Sequence, residues 1–574
     1  MTLQGLTVAL SESGIDAFAK DLVADQIAGQ LAKLTPPNNS FPVKDFGVPD
    51  GDGSDNYEDI KITLSGGSLS GFDPVYQSIS QGSDGAFSLT MKASDFKVEY
   101  NWNEKYKEYI CTTICFPAES HDKNYHYEVS FDSLVITVGL QLSYSSGTWD
   151  LKVSGVTSQP SAPKASIPHD SILNNQEVSG CFQTRISKQT KNAVSTIDFQ
   201  TPIKALVGNL GVQIPSTGKL TQDITFDFGT GPSGLSFPGD QGVQVGVTGQ
   251  VTYENTPYSG GTPPQLPLPA VPTSKHLAYY AAAYEFDALF WAFYKQGLLK
   301  ELITPGDLPD PSPLYTNTYK NTPLQGLYTQ YPNHTMTAYV AAAAAPTTAF
   351  QTVYDLSTAV LGKLKSTLPG DVFDKLQGLA NQYYLSEASF FTSLVAALGK
   401  NDANQWKSTI ENAAEGAGTV VSHENRVTIN VLQNGKSLPA FSFSVVQQDV
   451  LSNLALGISK SGTTQTLQFG FQVVPGTVTT KLIHSAIPSI TTNNFGYIWS
   501  FVLEPEFANE VALMGKQGVA LPRIPGFEFL FDKAEISIEA TDGGYVAVQT
   551  DFEYKPSSNE AIGDLAADGR GRAA

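Results

Sequence analysis

Between residues 87 and 102 apolar side chains fall at alternate positions, but their phase changes once. Phe87, Leu89, Met91 and Ala93 share one parity, and Phe96, Val98, Tyr100 and Trp102 share the other. The same happens between 129 and 142, where Val129 and Phe131 give way to Leu134, Ile136, Val138, Leu140 and Leu142. Alternation over such a length predicts strands with one buried face. A single slip inside an unbroken strand predicts a bulge, which bends and twists the sheet. Long, bent strands favour a sheet that curls around something.

The chain also supplies long helices to be wrapped. Residues 11–34 read as an amphipathic helix capped by Ser11. Ile15, Phe18 and Leu22, then Ile27, Leu31 and Leu34, follow three- and four-residue spacing. At ~1.5 Å per residue it spans roughly 36 Å, and Pro36 and Pro37 end it. Phe182, Ile186, Ala193 and Ile197 allow a second helix within 165–210. Val243, Val245, Val247, Val251 and Tyr253 form a further strand-like run.

Residues 259–273 are rich in proline and read as a stiff, extended linker. Beyond it the pattern repeats in kind. Phe286, Leu289, Phe290 and Phe293 mark a helix. Strand runs follow at Val427, Ile429 and Val431 and at Phe441, Phe443 and Val445, joined at Asn434-Gly435, a hairpin signal. Leu467, Phe469, Phe471 and Val473 alternate as well. Pro505 is expected to open a helix reaching Met514. Ile536 and Ile538 are expected to pair with a strand carrying Val546, Val548 and Phe552. Residues 347–418 interrupt this with helix: Val353, Leu356, Val360 and Leu364 form one stripe, Val372, Leu376, Leu379 and Tyr383 another, and Phe390, Leu394 and Leu398 a third. The tail after about residue 555 is small and polar, and disorder is expected there.

Composition narrows the function. With 35 basic and 55 acidic residues, the formal net charge of −20 repels phosphate backbones, so nucleic acid is not an expected partner. The same sign argues against anionic membrane surfaces as the main attractor. No apolar run is long enough for a transmembrane helix. No secretory signal peptide is visible. The compartment therefore stays open between the cytoplasm, export by another route and export after removal of a leader.

Candidate chemical motifs are incomplete. Cys111, Cys115, His121 and His126 offer thiolate and imidazole for zinc, but the middle spacer is shorter than in usual fingers. Unpaired or disulfide-linked loop cysteines fit better. Asp50, Asp52, Asp55 and Glu58 could face calcium, yet the twelfth position of that loop is Lys61, and a solvated turn is the simpler reading. Ser233 lacks the second glycine of a nucleophile elbow, His423-Glu424 lacks the second histidine of a zinc protease, and Gly515-Lys516 lacks the phosphate-loop glycines. No catalytic residue, metal or cofactor is expected. Sequons at Asn38 and Asn333 matter only on a eukaryotic secretory route.

The order of segments resembles the bactericidal/permeability-increasing, lipopolysaccharide-binding and lipid-transfer protein family. LTVALSESGIDAFAKDLVADQIAGQLAKL resembles its first strand and helix, and FSLTMKASDFKVEYNW a following strand. GVQVGVTGQVTYENTPYSGGTPPQLPLP resembles the end of its first domain and the linker. YYAAAYEFDALFWAFYKQGLLK resembles the opening of its second domain, and GKQGVALPRIPGFEFLFDKAEISIEATDGGYVAVQTDFEYK its final segment. The likeness lies in the colinear order over most of 1–555, apart from 103–126 and 347–418. It implies an α+β fold of two tubular domains, each a twisted antiparallel sheet around a long helix, joined by a central sheet in a boomerang. On this reading 1–258 is the first domain, 259–273 the linker, 274–555 the second domain with a helical insertion at 347–418, and 556–574 a tail.

The resemblance implies non-catalytic binding, and transfer, of phospholipids or other long-chain apolar ligands in apolar channels, with transient membrane contact. Ile15, Phe18 and Leu22, and Phe286, Phe290 and Phe293, are the lining residues that the resemblance implies, although periodicity alone favours ordinary core packing. Two departures bear on this. The strand around 149–156 lacks the family's cysteine, and NEKYKEYICTTICFPAESHDKNYHY carries charges of both signs where lipopolysaccharide-binding members have a basic tip. The rival reading is a tubular-fold interaction or toxin-complex accessory protein that leaves its channels unused and meets a protein partner through the helical insertion.

Overall fold

The structure, a computed structural model, describes residues 5–34, 40–41, 57–111, 115–145, 148–166, 171–172, 175–197, 212–214, 224–227, 235–238, 241–247, 250–254, 256–260, 271, 274–308, 312–461, 464–493, 495–505, 519–520, 527–530, 533–540 and 544–554. The fold is α+β, and its sheets are mostly antiparallel. The chain forms two compact units: 10–207 with 236–243 and 553–574, and 1–9 with 208–235 and 244–552. The acidic 50–55 loop, Ser233, the 515–516 pair and the tail lie outside the described residues.

The unit containing 10–207 is built on one hairpin, Ala86–Cys111 against Cys115–Ser145. Tyr57–Ser70 and Thr148–Pro160 pair along its two sides. The phase change occurs in both hairpin strands at the same level. Ser94 pairs with Ser133 and Phe96 with Phe131, so Asp95 and Asp132 are opposed single-residue slips and the register carries through. Asp95 sits at φ +51°, a left-handed conformation that a short polar side chain tolerates. Ala93, Phe96, Phe131 and Leu134 stay buried across the slip, and the Phe96 and Phe131 rings stack at 4.9 Å.

Helices cover the apolar face. Residues 12–31 form one helix in three segments, with a π-turn at Ala19–Val23. Ser11 caps it, its Oγ accepting from the Gly14 N–H at 3.0 Å. The helix expected within 165–210 is Asn175–Ser195; it buries Val178, Phe182, Ile186 and Val194, and Ile197 falls just past its end. Ahead of it, the fully buried Glu104 carboxylate accepts from Tyr127 Oη at 3.2 Å, Ser171 Oγ at 2.6 Å and the Ile172 N–H at 3.4 Å.

The other unit centres on a second long hairpin, Glu415–Gln433 and Lys436–Ser461. It turns at Asn434 and Gly435, both at positive φ, as the Asn-Gly signal predicts. Its inner face, with Val427, Ile429, Phe441, Phe443 and Val445, packs on Phe495, Ile498, Trp499 and Leu503. Ile536 and Ile538 pair with Val548 and Val546 as expected, while Phe552 belongs to a separate strand pair.

Three sequence expectations are corrected. The run 243–253 is two strands in different sheets, Gly242–Val247 and Gln250–Tyr253. The helix assigned to Pro505 already begins at Gly496, and Pro505 follows a π-turn at Trp499–Leu503, where a widened helical turn accommodates a residue with no N–H to donate; its expected reach to Met514 lies outside the described residues. The helical insertion is narrower than 347–418. Thr347–Asp355 is a strand paired with 415–422, its β-branched and aromatic residues favouring the sheet, so Val353 is not helical. Helix begins only after Ser357, whose Oγ caps Val360. Residues 358–414 then close over their own core of Leu361, Val372, Leu376, Phe390, Leu394 and Ile410.

Candidate functional site

In the first helix Ile15, Ala19, Val23, Ile27 and Leu31 form a buried four-residue row, with Gly14 and Ala24 buried beside it. Ile15 is on this row, and Phe18 is half-buried at its flank. Leu22 lies in the π-turn, and its side chain is outside the described set. The π-turn adds a residue to one turn, which keeps this row facing the core past the point where Ile15, Phe18 and Leu22 would part from Ile27 and Leu31.

The helix Ala283–Gln296 is apolar nearly all round. Its buried side is made of Tyr284, Glu285, Ala288 and Ala292. Phe286, Phe290 and Phe293, at i, i+4 and i+7, share the opposite side and are all half-buried. Phe350 covers part of that side, meeting Phe286 edge-to-face at 5.6 Å. Phe286 and Phe290 therefore lie neither in the packed core nor free in solvent, Phe293 packs against the edge of the Val251, Ala288 and Ala292 cluster, and Tyr284, Ala288 and Ala292 make the core contacts.

Two carboxyl groups in the first turns of this helix are partly or fully buried. Burial holds Glu285 well above the usual carboxylate range, and its Oε1 has no hydrogen-bond partner among the described residues. Gly5 is pressed against it, since a Cβ there would stand 1.8 Å from Oε1. Asp287 is pushed up to about 6 by burial, against the opposing effect of the Thr348 N–H, which donates to Oδ1.

A buried polar cluster that sequence reading missed lies between the second hairpin and the helix after Phe495. His423 Nε2 is 2.8 Å from Asp449 Oδ2, and its Nδ1 is 2.8 Å from Asn425 Nδ2. Gln447 donates to Asp449 Oδ1 at 2.6 Å and to Glu504 Oε1, and accepts from Trp499 Nε1. A signal for it exists: His423 and Asn425 continue the inward phase of Val427 and Ile429, and Gln447 and Asp449 that of Phe443 and Val445. Both ring nitrogens of His423 are engaged and its side chain is 5% exposed, which is the geometry of a structural clamp.

The candidate zinc residues do not converge. His121 stacks on Tyr106 and meets Glu108 at 3.0 Å on one face of the sheet, whereas His126 is exposed on the other. The side chains of Cys111, Cys115 and Glu58 are outside the described set. Among the described residues no group of three His, Cys, Asp or Glu is placed to hold a metal. No described helix is long and apolar enough to cross a membrane.

Long, kinked antiparallel strands carrying long helices on their apolar face define the class of fold that the family resemblance implies. The crystal structure of lipopolysaccharide binding protein has this fold: it matches with a TM-score of 0.52 at 14% identity, covering 97% of this chain and 100% of that one. Takeout 1 of Epiphyas postvittana matches over 33% of this chain and 84% of its own, at 14% identity and a TM-score of 0.16, a likeness too partial to define a fold. No family model and no curated protein matches the sequence.

Proposed function

We propose that this chain binds a lipid or another long apolar ligand by passive encapsulation, with no covalent chemistry. Each unit is read as a tubular domain that holds acyl chains between its curled sheet and its helices. The observation that carries the reading is the side of the helix Ala283–Gln296 bearing Phe286, Phe290 and Phe293, three rings that the protein leaves partly exposed. A 16-carbon chain laid along such rings gains roughly 13 kcal/mol gross at ~0.8 kcal/mol per methylene, so no charged contact is required. The fold shared with lipopolysaccharide binding protein supports the reading at the level of architecture. Transfer between membranes or particles would follow from opening at a surface.

The test is lipid mass spectrometry on protein purified under mild conditions from lipid-containing cells. Stoichiometric lipid is expected. No lipid, together with no uptake of fluorescent fatty-acid or phospholipid probes, would overturn the reading. One observation favours a second function, a protein-interaction role. Residues 358–414 gather a helical core that joins the sheet through Tyr354, Leu356 and the Tyr383–Tyr384 strand, and so add a helical surface to it.

A further inference from the structure

The face of the long hairpin turned away from its helices carries a groove of about 350 Å³. Ser65, Asn101, Asn103, Asn124 and His126 wall it, and the Trp102 and Tyr125 positions lie beneath. The walls are two adjacent cross-strand rows, Ser65–Asn101–His126 and Thr63–Asn103–Asn124, on one side of the sheet. Alternation turns the Trp102 ring to the other side, where it packs on Tyr127 at 4.3 Å and is 1% exposed. The hollow exists because the register slips between Ser65 and Ser68 at Gly66, whose φ is +62°. A Cβ at Gly66 would stand 2.8 Å from Asn101 Nδ2, so glycine keeps that amide uncovered.

We propose that this groove binds an uncharged saccharide of mono- or disaccharide size. Three carboxamides, a hydroxyl and an imidazole supply donors and acceptors in both senses, as the neighbouring hydroxyls of a sugar ring require. Asn103 is held in place, its Nδ2 donating to Asp122 Oδ1 at 2.6 Å and Asn124 Oδ1 at 3.0 Å. The Asn101 amide makes no hydrogen bond among the described residues and is available to a ligand. The charges flanking the groove on this face balance, Lys105 with Asp122 at 2.7 Å beside Lys61 at one end and Lys97 with Glu128 at 2.8 Å beside Glu99 at the other, so no net charge selects an ionic ligand. With the Trp102 ring on the far side, that indole is no platform for a nucleobase. The volume is near the lower end of the ~300–1,000 Å³ typical of small-molecule sites. This inference does not rest on the lipid reading.

Saturation-transfer difference NMR on the full chain tests it. The probes are glucose, galactose, mannose, N-acetylglucosamine, cellobiose, lactose and chitobiose, each near 10 mM for affinities on the order of 1 mM. Transfer to at least one sugar is expected. Asn101→Ala with His126→Ala should cut its affinity about 25-fold, about five-fold per lost hydrogen bond. Both side chains are exposed, so the thermal melt of the double variant should match the parent, which separates lost binding from lost fold. No transfer to any of the sugars, or transfer that survives the double substitution, would overturn the proposal.

Discussion

His423 Nε2 and Asp449 Oδ2 lie 2.8 Å apart in a core where both side chains are at least 89% covered. Asp449 Oδ1 also accepts from Gln447 at 2.6 Å and from the Gly476 N–H at 3.3 Å. Asp449→Ala strands all three donors. Breaking a buried, hydrogen-bonded pair of this kind costs about 3–5 kcal/mol. Asp449→Asn keeps an acceptor and should lose less. Urea unfolding followed through Trp499, which donates to Gln447 in the same cluster, reads the effect. A loss below about 1 kcal/mol for the alanine variant would show that this clamp does not hold the helix to the sheet.

The Asp287 carboxyl within the aromatic helix makes stability depend on pH in a definite direction. Asp287 has its pKa raised from 3.8 to about 6 in the folded chain. The folded state therefore favours the protonated form. Its contribution is fully present below the unfolded value and is lost as pH rises through about 6. Asp287→Asn should match the parent below pH 3.8 and melt higher above pH 6. The gain is bounded at about 3 kcal/mol, since each pKa unit is worth about 1.4 kcal/mol. Burial also raises Glu504, so Glu504→Gln should likewise gain relative to the parent towards alkaline pH. Parallel melting curves for parent and Asp287→Asn across this range would contradict the assignment.

Gly5 and Glu285 should behave as one unit. A Cβ at Gly5 would collide with the Glu285 carboxyl at 1.8 Å and with Tyr284 Cδ1 at 2.8 Å. Gly5→Ala should therefore destabilise by about 1–3 kcal/mol, the usual effect of overpacking. Glu285→Gln keeps the volume and should give no relief, whereas Glu285→Ala removes the obstructing atoms. In a double-mutant cycle Gly5→Ala should cost clearly less beside Glu285→Ala than alone. Additive losses would mean that Tyr284, not the carboxyl, sets the limit.

How far the sequence was legible follows from which signals are local. The opposed slips at Asp95 and Asp132 were visible because alternation is strict on both sides of each. The Asn434-Gly435 turn was visible because left-handed backbone demands those residues. The start of the helix at Gly496 was not, because Pro505 looked like a first-turn residue and no local pattern announces a π-turn ahead of it. Nor was the clamp at His423 and Asp449. Its members look like strand polar residues until the apolar phase of Val427 and Val445 is carried two residues further along each strand. In the helix Ala283–Gln296 the aromatic stripe was plain, but the division of labour was not. Only packing shows that Ala288 and Ala292 take the core side and Phe286 and Phe290 the other.

The helical insertion should be removable. Tyr354 and Glu415 are direct cross-strand partners, so the chain leaves and re-enters the sheet at adjacent points. Joining them through Asn-Gly, a two-residue hairpin turn, spans the gap without moving either strand. Tyr354 stacks on Phe390 at 5.0 Å and would be uncovered, so Tyr354→Thr belongs in the same variant. The shortened chain should stay monodisperse and melt cooperatively, with lipid uptake unchanged. Aggregation of it despite the Tyr354 substitution would show that residues 358–414 stabilise the sheet rather than standing on it as a module.

The aromatic helix offers the most direct separation of ligand binding from folding. Phe290 is half-buried on the side away from Ala288 and Ala292, so Phe290→Ala leaves the close helix–sheet contacts intact. Its effect on stability should be about 1 kcal/mol, below the ~3–5 kcal/mol of a phenylalanine deleted from a packed core. Its effect on an acyl ligand lying along Phe286, Phe290 and Phe293 should be larger. Loss of a ring's apolar contact, about 1.5–3 kcal/mol, weakens binding about 10- to 150-fold. Titration of a fluorescent fatty acid reads the affinity, and a thermal melt in the absence of lipid reads the fold. Phe443→Ala is the contrasting control: it is fully buried and stacked on Phe495 at 4.5 Å, so it should lose several degrees of melting temperature. If Phe290→Ala loses stability as Phe443→Ala does and keeps its affinity, the half-covered rings are core, and the ligand lies elsewhere or is absent.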